Sequence, residues 1–387
     1  MSVDPGYKEI EGELRRWAEK GLRRELPPLE RREGPYVYLA GRRLLNLSSN
    51  DYLGLSTRMA LEDLLPLLSE EAFGAGAARL LSGNHALYEQ VETRLEELYG
   101  RPALVFNSGY LANLGIISAL CGRHDAIFAD KLVHASIIDG ARLSGARLFR
   151  FPHQDYEALE RLLAKKRPSF RRALIVTESV FSMDGDKVDL KMLLTLKERY
   201  GAFLFLDEAH AVGVLGERGL GLAEEEGLGE KVDLLLGTCG KALGSYGAFV
   251  VVSKRVLKDY LVNKARSFVF TTALPPVVLA ATSLALKLVP GMCGERRHLR
   301  ELSSFLRQEL SLPPGDTPIV PVIVGEAEKA LSLSRRLRER GFYVPAIRPP
   351  TVPENTARIR ISLTALHTRQ DLAPLIEEIK GFLSENS

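Results

Sequence analysis

Cysteine is scarce in the 387 residues, and the three present, Cys121, Cys239 and Cys293, are far apart, odd in number and free of any C-x-x-C. That pattern excludes a disulfide framework and a zinc ribbon, and it fits a reducing compartment. The metal signature H-E-x-x-H is missing too, and ligand types do not cluster, so no metal is assigned. No apolar run approaches the roughly 20 residues of a spanning helix, and the opening MSVDPGYKEIEGELRRWAEK lacks the apolar core of a signal peptide. Neither sign of charge is in excess: 52 Lys and Arg against 49 Asp and Glu leave +3, which provides no basic field for nucleic acid. The expectation is a cytoplasmic protein that binds neither nucleic acid nor membrane.

What is present is an ordinary globular composition, 45% hydrophobic and 26% charged, in a chain long enough for two lobes. From residue 103 to 252 short apolar runs alternate with helical stretches. The runs are 103–106, 126–129, 147–151, 173–177, 203–206, 234–236 and 249–252. Such alternation predicts βαβ units, hence a mainly parallel sheet of seven strands with helices on both faces. Beyond Pro290 the rhythm changes: strands at 319–324, 343–347 and 358–363 and helices at 327–339 and 369–383 predict a smaller α/β lobe. The expected organisation is an N-terminal helix and hairpin (1–47), a large domain (48–290) and a small C-terminal domain (291–387), with a ligand in the cleft between lobes. In the first segment, Ile10, Leu14, Trp17 and Leu22 predict an amphipathic helix over 4–26, stopped by Pro27-Pro28, and 36–39 with 44–47 predict a hairpin. Asn84 is a candidate cap for a helix ending at Tyr99.

The chemistry concentrates between Ala202 and Val252. One apolar run ends in Asp207 with His210 just beyond; another ends in Gly237-Thr238-Cys239-Gly240-Lys241. Charge at the carboxyl end of buried parallel strands is where α/β sheets bind ligands. A lysine for a Schiff base and an aspartate for a pyridinium nitrogen are the minimum apparatus of a pyridoxal-phosphate enzyme, and Asp207 and Lys241 suit those roles. The letters DEAH at 207–210 also occur in helicases, but the G-x-x-x-x-G-K-[ST] loop that reading requires is absent. Asn107-Ser108-Gly109-Tyr110, between a strand and a helix, offers backbone N–H groups to a phosphate, with the Thr238 hydroxyl nearby in sequence to Lys241. His134 follows another strand and could lie flat on a cofactor ring or simply cap its helix. Ser182 lies in a strand-end loop aimed at the same edge.

The motifs NLSSNDYLGL, SGNHALYEQVE, NSGYLAN, DKLVHASIIDG, TESVFSMDGD, LDEAHAVGVLGERGLG, TCGKALGSYGAF and AIRPPTVPENTARIRISLTALHT, in this order and spacing, resemble the α-oxoamine synthase family of pyridoxal-phosphate enzymes over nearly the whole chain. The resemblance implies a fold-type-I transferase that joins an amino acid to an acyl thioester with loss of carbon dioxide. It implies that Lys241 holds the cofactor and serves as general base, that Asp207 pairs with the ring nitrogen, that His210 bonds the ring hydroxyl and that His134 stacks on the ring. Ser182 would lie beside the cofactor. Ser108, Gly109, Tyr110 and Thr238 would hold the phosphate, and Thr272 would reach in from a second subunit of a homodimer with shared sites. Asn50, Arg360 and His134 would contact the amino acid, while Arg23, Arg348 and Thr351 would face the acyl group.

Within the family, the run Ala346 to Pro353 and the phrase TTALPP favour the member that uses L-alanine and a pimeloyl thioester, carried by coenzyme A or a carrier protein. Other members take glycine or serine with acetyl, succinyl or palmitoyl thioesters. A non-catalytic scaffold that merely binds the cofactor would have no need of Asp207, His210, Lys241, Asn50 and Arg360 together. Two positions depart from the family: Ala77-Ala78 precede Arg79 where Gly-Gly-Ser is common, and Cys239 lies beside the lysine.

Overall fold

The computed structural model describes residues 5–68 and 73–386. The chain forms two compact units, one of residues 50–182 with 186–298 and one of residues 1–49, 183–185 and 299–387. The first segment therefore groups with the C-terminal residues instead of standing apart. The cause is strand pairing: Phe342–Tyr343 runs parallel to Arg42–Asn46, with Phe342 opposite Leu45.

In the larger unit all seven apolar runs are strands of one sheet. Across the sheet the order is Ala103–Phe106, Ala248–Val252, Leu234–Thr238, Phe203–Asp207, Ala173–Glu178, Ala126–Asp130, Arg147–Phe151. The last five run parallel. Interior strands such as Ala173–Glu178 are buried at every residue, which is why they read as unbroken apolar runs. Arg147–Phe151 closes one edge and keeps Arg147 and Arg150 exposed, a charged edge that discourages further pairing.

Ala248–Val252 is the exception in direction, antiparallel to both of its neighbours. Its link to Leu234–Thr238 therefore needs no crossover helix and is a loop, 239–247, at the carboxyl end of that strand. Lys241 lies in this loop. The carboxyl ends of Ala103–Phe106, Ala126–Asp130, Ala173–Glu178, Phe203–Asp207 and Leu234–Thr238 consequently deliver their following residues to a single edge.

The smaller unit contains the hairpin Tyr36–Leu39/Arg42–Asn46, whose two-residue turn places Ala40 and Gly41 at φ 50° and 72°, the positive values a tight hairpin demands. Arg31–Glu33 adds an outer strand. Ile319–Gly325, Ala357–Ser362 and Ala346–Ile347 form an antiparallel sheet, and Thr368 and Asp371 make a reciprocal capping box at the start of Arg369–Glu385.

Several boundaries differ from expectation. The first helix spans Pro5–Glu19; residue 4 lies outside the described residues. The helix ending at Tyr99 starts at Ala86 with His85 in the cap position, and the Asn84 side chain, one residue earlier, accepts a hydrogen bond from Arg79 Nε instead. The stretch 343–347 is two strands in two sheets.

Candidate active site

The strand ends build a pocket of about 210 Å³ lined by Ser108, Gly109, Tyr110, Asn113, His134, Ser136, Glu178, Asp207, His210, Thr238 and Lys241 among others. Eight of these are residues singled out from the sequence, drawn from positions 108 to 241.

Ser108 caps Gly109–Leu120, its Oγ accepting from Leu111 N at 3.2 Å. The next two backbone N–H groups stand at the positive end of a twelve-residue helix, where an anion is favoured. Gly109 is required there, since a Cβ would lie 2.7 Å from Thr238 Cγ2. That close approach sets the Thr238 side chain against the helix start.

Asp207 is buried and held on both oxygens: Oδ1 accepts Ala209 N at 3.0 Å and Oδ2 accepts Asn113 Nδ2 at 2.9 Å. Glu178 is its partner in the parallel register and is equally buried. Its Oε1 accepts the backbone N–H of His134 at 2.7 Å, and the backbone of Ser182 donates to it as well. Burial, followed by the Asp207 charge, pushes the Glu178 carboxyl up to about 8. Near neutral pH the Glu178 carboxyl therefore favours its protonated form. Neighbouring Glu208, pushed by burial to about 7, is instead structural, accepting from Ser179 Oγ and the backbone of Leu222 and Ala223.

His134 caps Ala135–Ser144, its Nδ1 facing Ser136 Oγ at 2.8 Å. Burial holds its pKa below the ordinary histidine value, against the pull of Asp207 and with the push of Lys241. His210 lies with Nδ1 2.7 Å from Tyr52 Oη, and that hydroxyl is 3.2 Å from Asn50 Oδ1, so Asn50 reaches the pocket wall through Tyr52. Cys239, behind Lys241, is buried and its thiol is pushed up to about 12, which makes it inert packing.

Other expected residues lie elsewhere. Ser182 touches the pocket through its backbone contact with Glu178. Thr272 is exposed, bridged to Ala78, and its carbonyl accepts from Asn107 Nδ2 at 2.6 Å. In the smaller unit, Arg360 is buried on Ala357–Ser362 with Nη1 2.5 Å from Ser362 Oγ. Arg348 donates to the Gly21 carbonyl. Thr351 Oγ1 accepts from Arg24 Nη2 at 3.0 Å, so the arginine beside Thr351 is Arg24; both Arg23 and Arg24 are exposed. No group of three or more His, Cys, Asp or Glu among the described residues could hold a metal ion.

Tyr52, Asn113, Ser136 and Glu178 were not assigned roles from the sequence. The one available signal was chemical: Asn113 is a buried amide in the otherwise apolar helix GYLANLGIISAL.

Residues 42–379 match the family described as aminotransferase class I and II, and the chain belongs to that family and, within it, to the α-oxoamine synthases, which are pyridoxal-phosphate enzymes. It is 48% identical to the 8-amino-7-oxononanoate synthase of Geobacter sulfurreducens, over 94% of this chain and 95% of that protein. Among solved structures, serine palmitoyltransferase from S. paucimobilis with a bound PLP–myriocin aldimine superposes with a TM-score of 0.92 at 28% identity, covering 100% of this chain and 99% of the other. The 8-amino-7-oxononanoate synthase of Francisella tularensis gives 0.76 at 30% identity, covering 88% and 98%.

Proposed function

We propose that the protein condenses L-alanine with a pimeloyl thioester, releasing carbon dioxide and the free thiol and forming 8-amino-7-oxononanoate for biotin synthesis. The observation that carries this reading is the gathering of Lys241, Asp207 and His134 in one pocket of a chain nearly half identical, end to end, to relatives named for that reaction.

The pocket suits pyridoxal phosphate on its own chemistry. The side-chain-free Gly109 leaves the helix start open to a phosphate, Asp207 is a buried acceptor for a protonated ring nitrogen, and Lys241 lines the same wall. The cofactor, when bound, supplies an electron sink for charge developing at the amino-acid Cα. Lys241 would hold the cofactor, and its Nζ, as a free amine, would be the base for the Cα proton. Asp207 is held in place by its two hydrogen bonds, one to each oxygen, from Asn113 Nδ2 and Ala209 N. His134 would cover the ring, and His210, whose Nδ1 meets Tyr52 Oη at 2.7 Å, would bond the ring hydroxyl. The family resemblance assigns Asn50 and Arg360 to the alanine carboxylate and Arg23, Arg348 and Thr351 to the acyl donor. The working form is a homodimer, Thr272 reaching the site of the second copy.

A second reading, another α-oxoamine synthase such as one acting on serine, is favoured by the TM-score of 0.92 to serine palmitoyltransferase. Identity of 48% against 28% weighs the other way. The test mixes holoenzyme with L-alanine, glycine or L-serine and pimeloyl-, acetyl-, succinyl- or palmitoyl-coenzyme A, and follows thiol release. Turnover is expected with alanine and the pimeloyl thioester, and Lys241→Ala should reduce it by roughly a thousandfold or more. Preferential turnover of another pair would reject the biotin assignment.

A further inference from the structure

Helices Gly109–Leu120 and Ala135–Ser144 pack closely because Gly140 has no side chain: a Cβ there would lie 3.0 Å from the Asn113 carbonyl oxygen and 3.2 Å from Ile117 Cβ. At that separation the buried Asn113 side chain spans both helices and a strand end. Its Nδ2 donates to Ser136 Oγ at 2.9 Å and to Asp207 Oδ2 at 2.9 Å. A carboxylate only accepts, so the amide nitrogen and not its oxygen faces this pair. The same orientation leaves Asn113 Oδ1 buried with no hydrogen-bond partner among the described residues. An orphaned buried acceptor costs stability, so stability alone does not account for an amide here.

Ser136 continues the chain. Its hydroxyl is 2.8 Å from His134 Nδ1, and its backbone N–H points at the same nitrogen at 3.3 Å. A backbone N–H is always a donor, so Nδ1 must present its lone pair, and the proton of the neutral ring is on Nε2. We infer that Asn113 and Ser136 are positioning residues that hold the His134 imidazole as its Nε2–H tautomer, so that the ring offers the pocket a hydrogen-bond donor for a substrate oxygen. The relay runs from Asp207 Oδ2 through the Asn113 amide and the Ser136 hydroxyl to His134, tying the acid assigned to the cofactor nitrogen to the ring assigned to the cofactor face.

The titratable groups around the ring are Asp207 at the far end of the relay, Lys241 in the loop 239–247, Asp139 on the ring's own helix and Glu178, which holds its backbone N–H. Burial, joined by the Lys241 charge, outweighs the two aspartates and holds the ring's pKa below the ordinary histidine value. The use of the donor rests on the proposed function; the tautomer does not, and it is read without any substrate.

The experiment is nitrogen-15 NMR of histidine-labelled holoenzyme near neutral pH, with His134 assigned among the seven histidines by loss of its signals in His134→Gln. The expected result is an unprotonated Nδ1 and a protonated Nε2. In Ser136→Ala and Asn113→Leu the Nε2–H signal should weaken, and kcat should fall about five- to tenfold with KM nearly unchanged. A protonated Nδ1 in the unaltered protein overturns the inference, and this spectrum decides even if a variant fails to fold. A ring pattern unchanged in both variants also overturns it, and an altered ring with unchanged kcat overturns the role given to the donor. Failure of the pimeloyl assay alone leaves the spectrum, and so the inference, standing.

Discussion

A single carboxyl shows how burial does chemical work at the residue scale. Glu178 has a folded pKa of about 8 against an ordinary 4.5, raised first by burial and then by Asp207. An acid with a raised folded pKa binds its proton more tightly when folded. Its contribution to stability is therefore fully present below about 4.5 and is lost as pH rises through about 8. Glu208, raised to about 7, acts in the same sense and loses its contribution one unit lower. Glu178→Gln keeps an oxygen for the His134 N–H and removes the charge. Thermal melts should show the variant melting at least about 3 °C above the unaltered protein at pH 9, the shift expected from roughly 1 kcal/mol in a chain of this size, with the gap narrowing steadily as the pH is lowered toward about 4.5. Equal melting temperatures at pH 9 would mean that Glu178 does not ionise against its fold.

Between elements, the helix beginning at Gly109 and the strand ending at Thr238 meet at a spot where one methyl group decides the fit. Gly109→Ala places a Cβ 2.7 Å from Thr238 Cγ2, so helix start and strand end must part. Titration with pyridoxal phosphate should show affinity falling about tenfold or more, as charge-assisted bonds to the phosphate are misaligned. Thr238→Ser deletes the offending methyl and keeps the hydroxyl; added to Gly109→Ala it should recover most of the loss, a non-additivity expected only of touching residues. The same scale shows what a sequence makes visible. The interior strands were legible because burial on both faces turns a strand into an apolar run, and the edge strand Arg147–Phe151, with Arg147 and Arg150 exposed, was legible from its place in the alternation. Helix Cys293–Glu309 was not, since CGERRHLRELSSFLRQE is mostly polar. Arg31–Glu33 is a strand only by virtue of its partner, all three residues being exposed. Within the pocket, Asp207, His134 and Lys241 were legible from their places after strands. Asn113, Ser136 and Tyr52 were not, because their roles arise from side chains meeting across 23 to 158 positions of sequence.

For the whole molecule, apolar surface beside the pocket-forming unit points to assembly. The turn at Arg79–Gly83 is tied to Thr272 through the Ala78 bridge, and here Leu81 and Phe270 are 80% and 71% exposed. Large apolar groups left bare in one stretch mark an interface. The ion pair of Arg79 with Glu92, at 2.7 Å and nearly buried, anchors the turn from below. Sedimentation of the holoenzyme should give a dimer, and Leu81→Asp with Phe270→Asp should weaken it by about a hundredfold or more, the effect of charging a buried interface anchor. A monomer in the unaltered protein would remove Thr272 from the site.

The chain passes from one unit to the other at 49/50, 182/183, 185/186 and 298/299. Residues 183–185, inserted in the run of the larger unit, are built into the smaller one: Thr317 Oγ1 donates to the Gly185 carbonyl at 2.5 Å, and Arg358 Nη1 reaches Asp184 Oδ1 at 2.5 Å. Neither unit is therefore a cassette. No single cut in the gene releases one of them whole, and recombination that swapped one lobe for a relative's would have to carry several separated segments together.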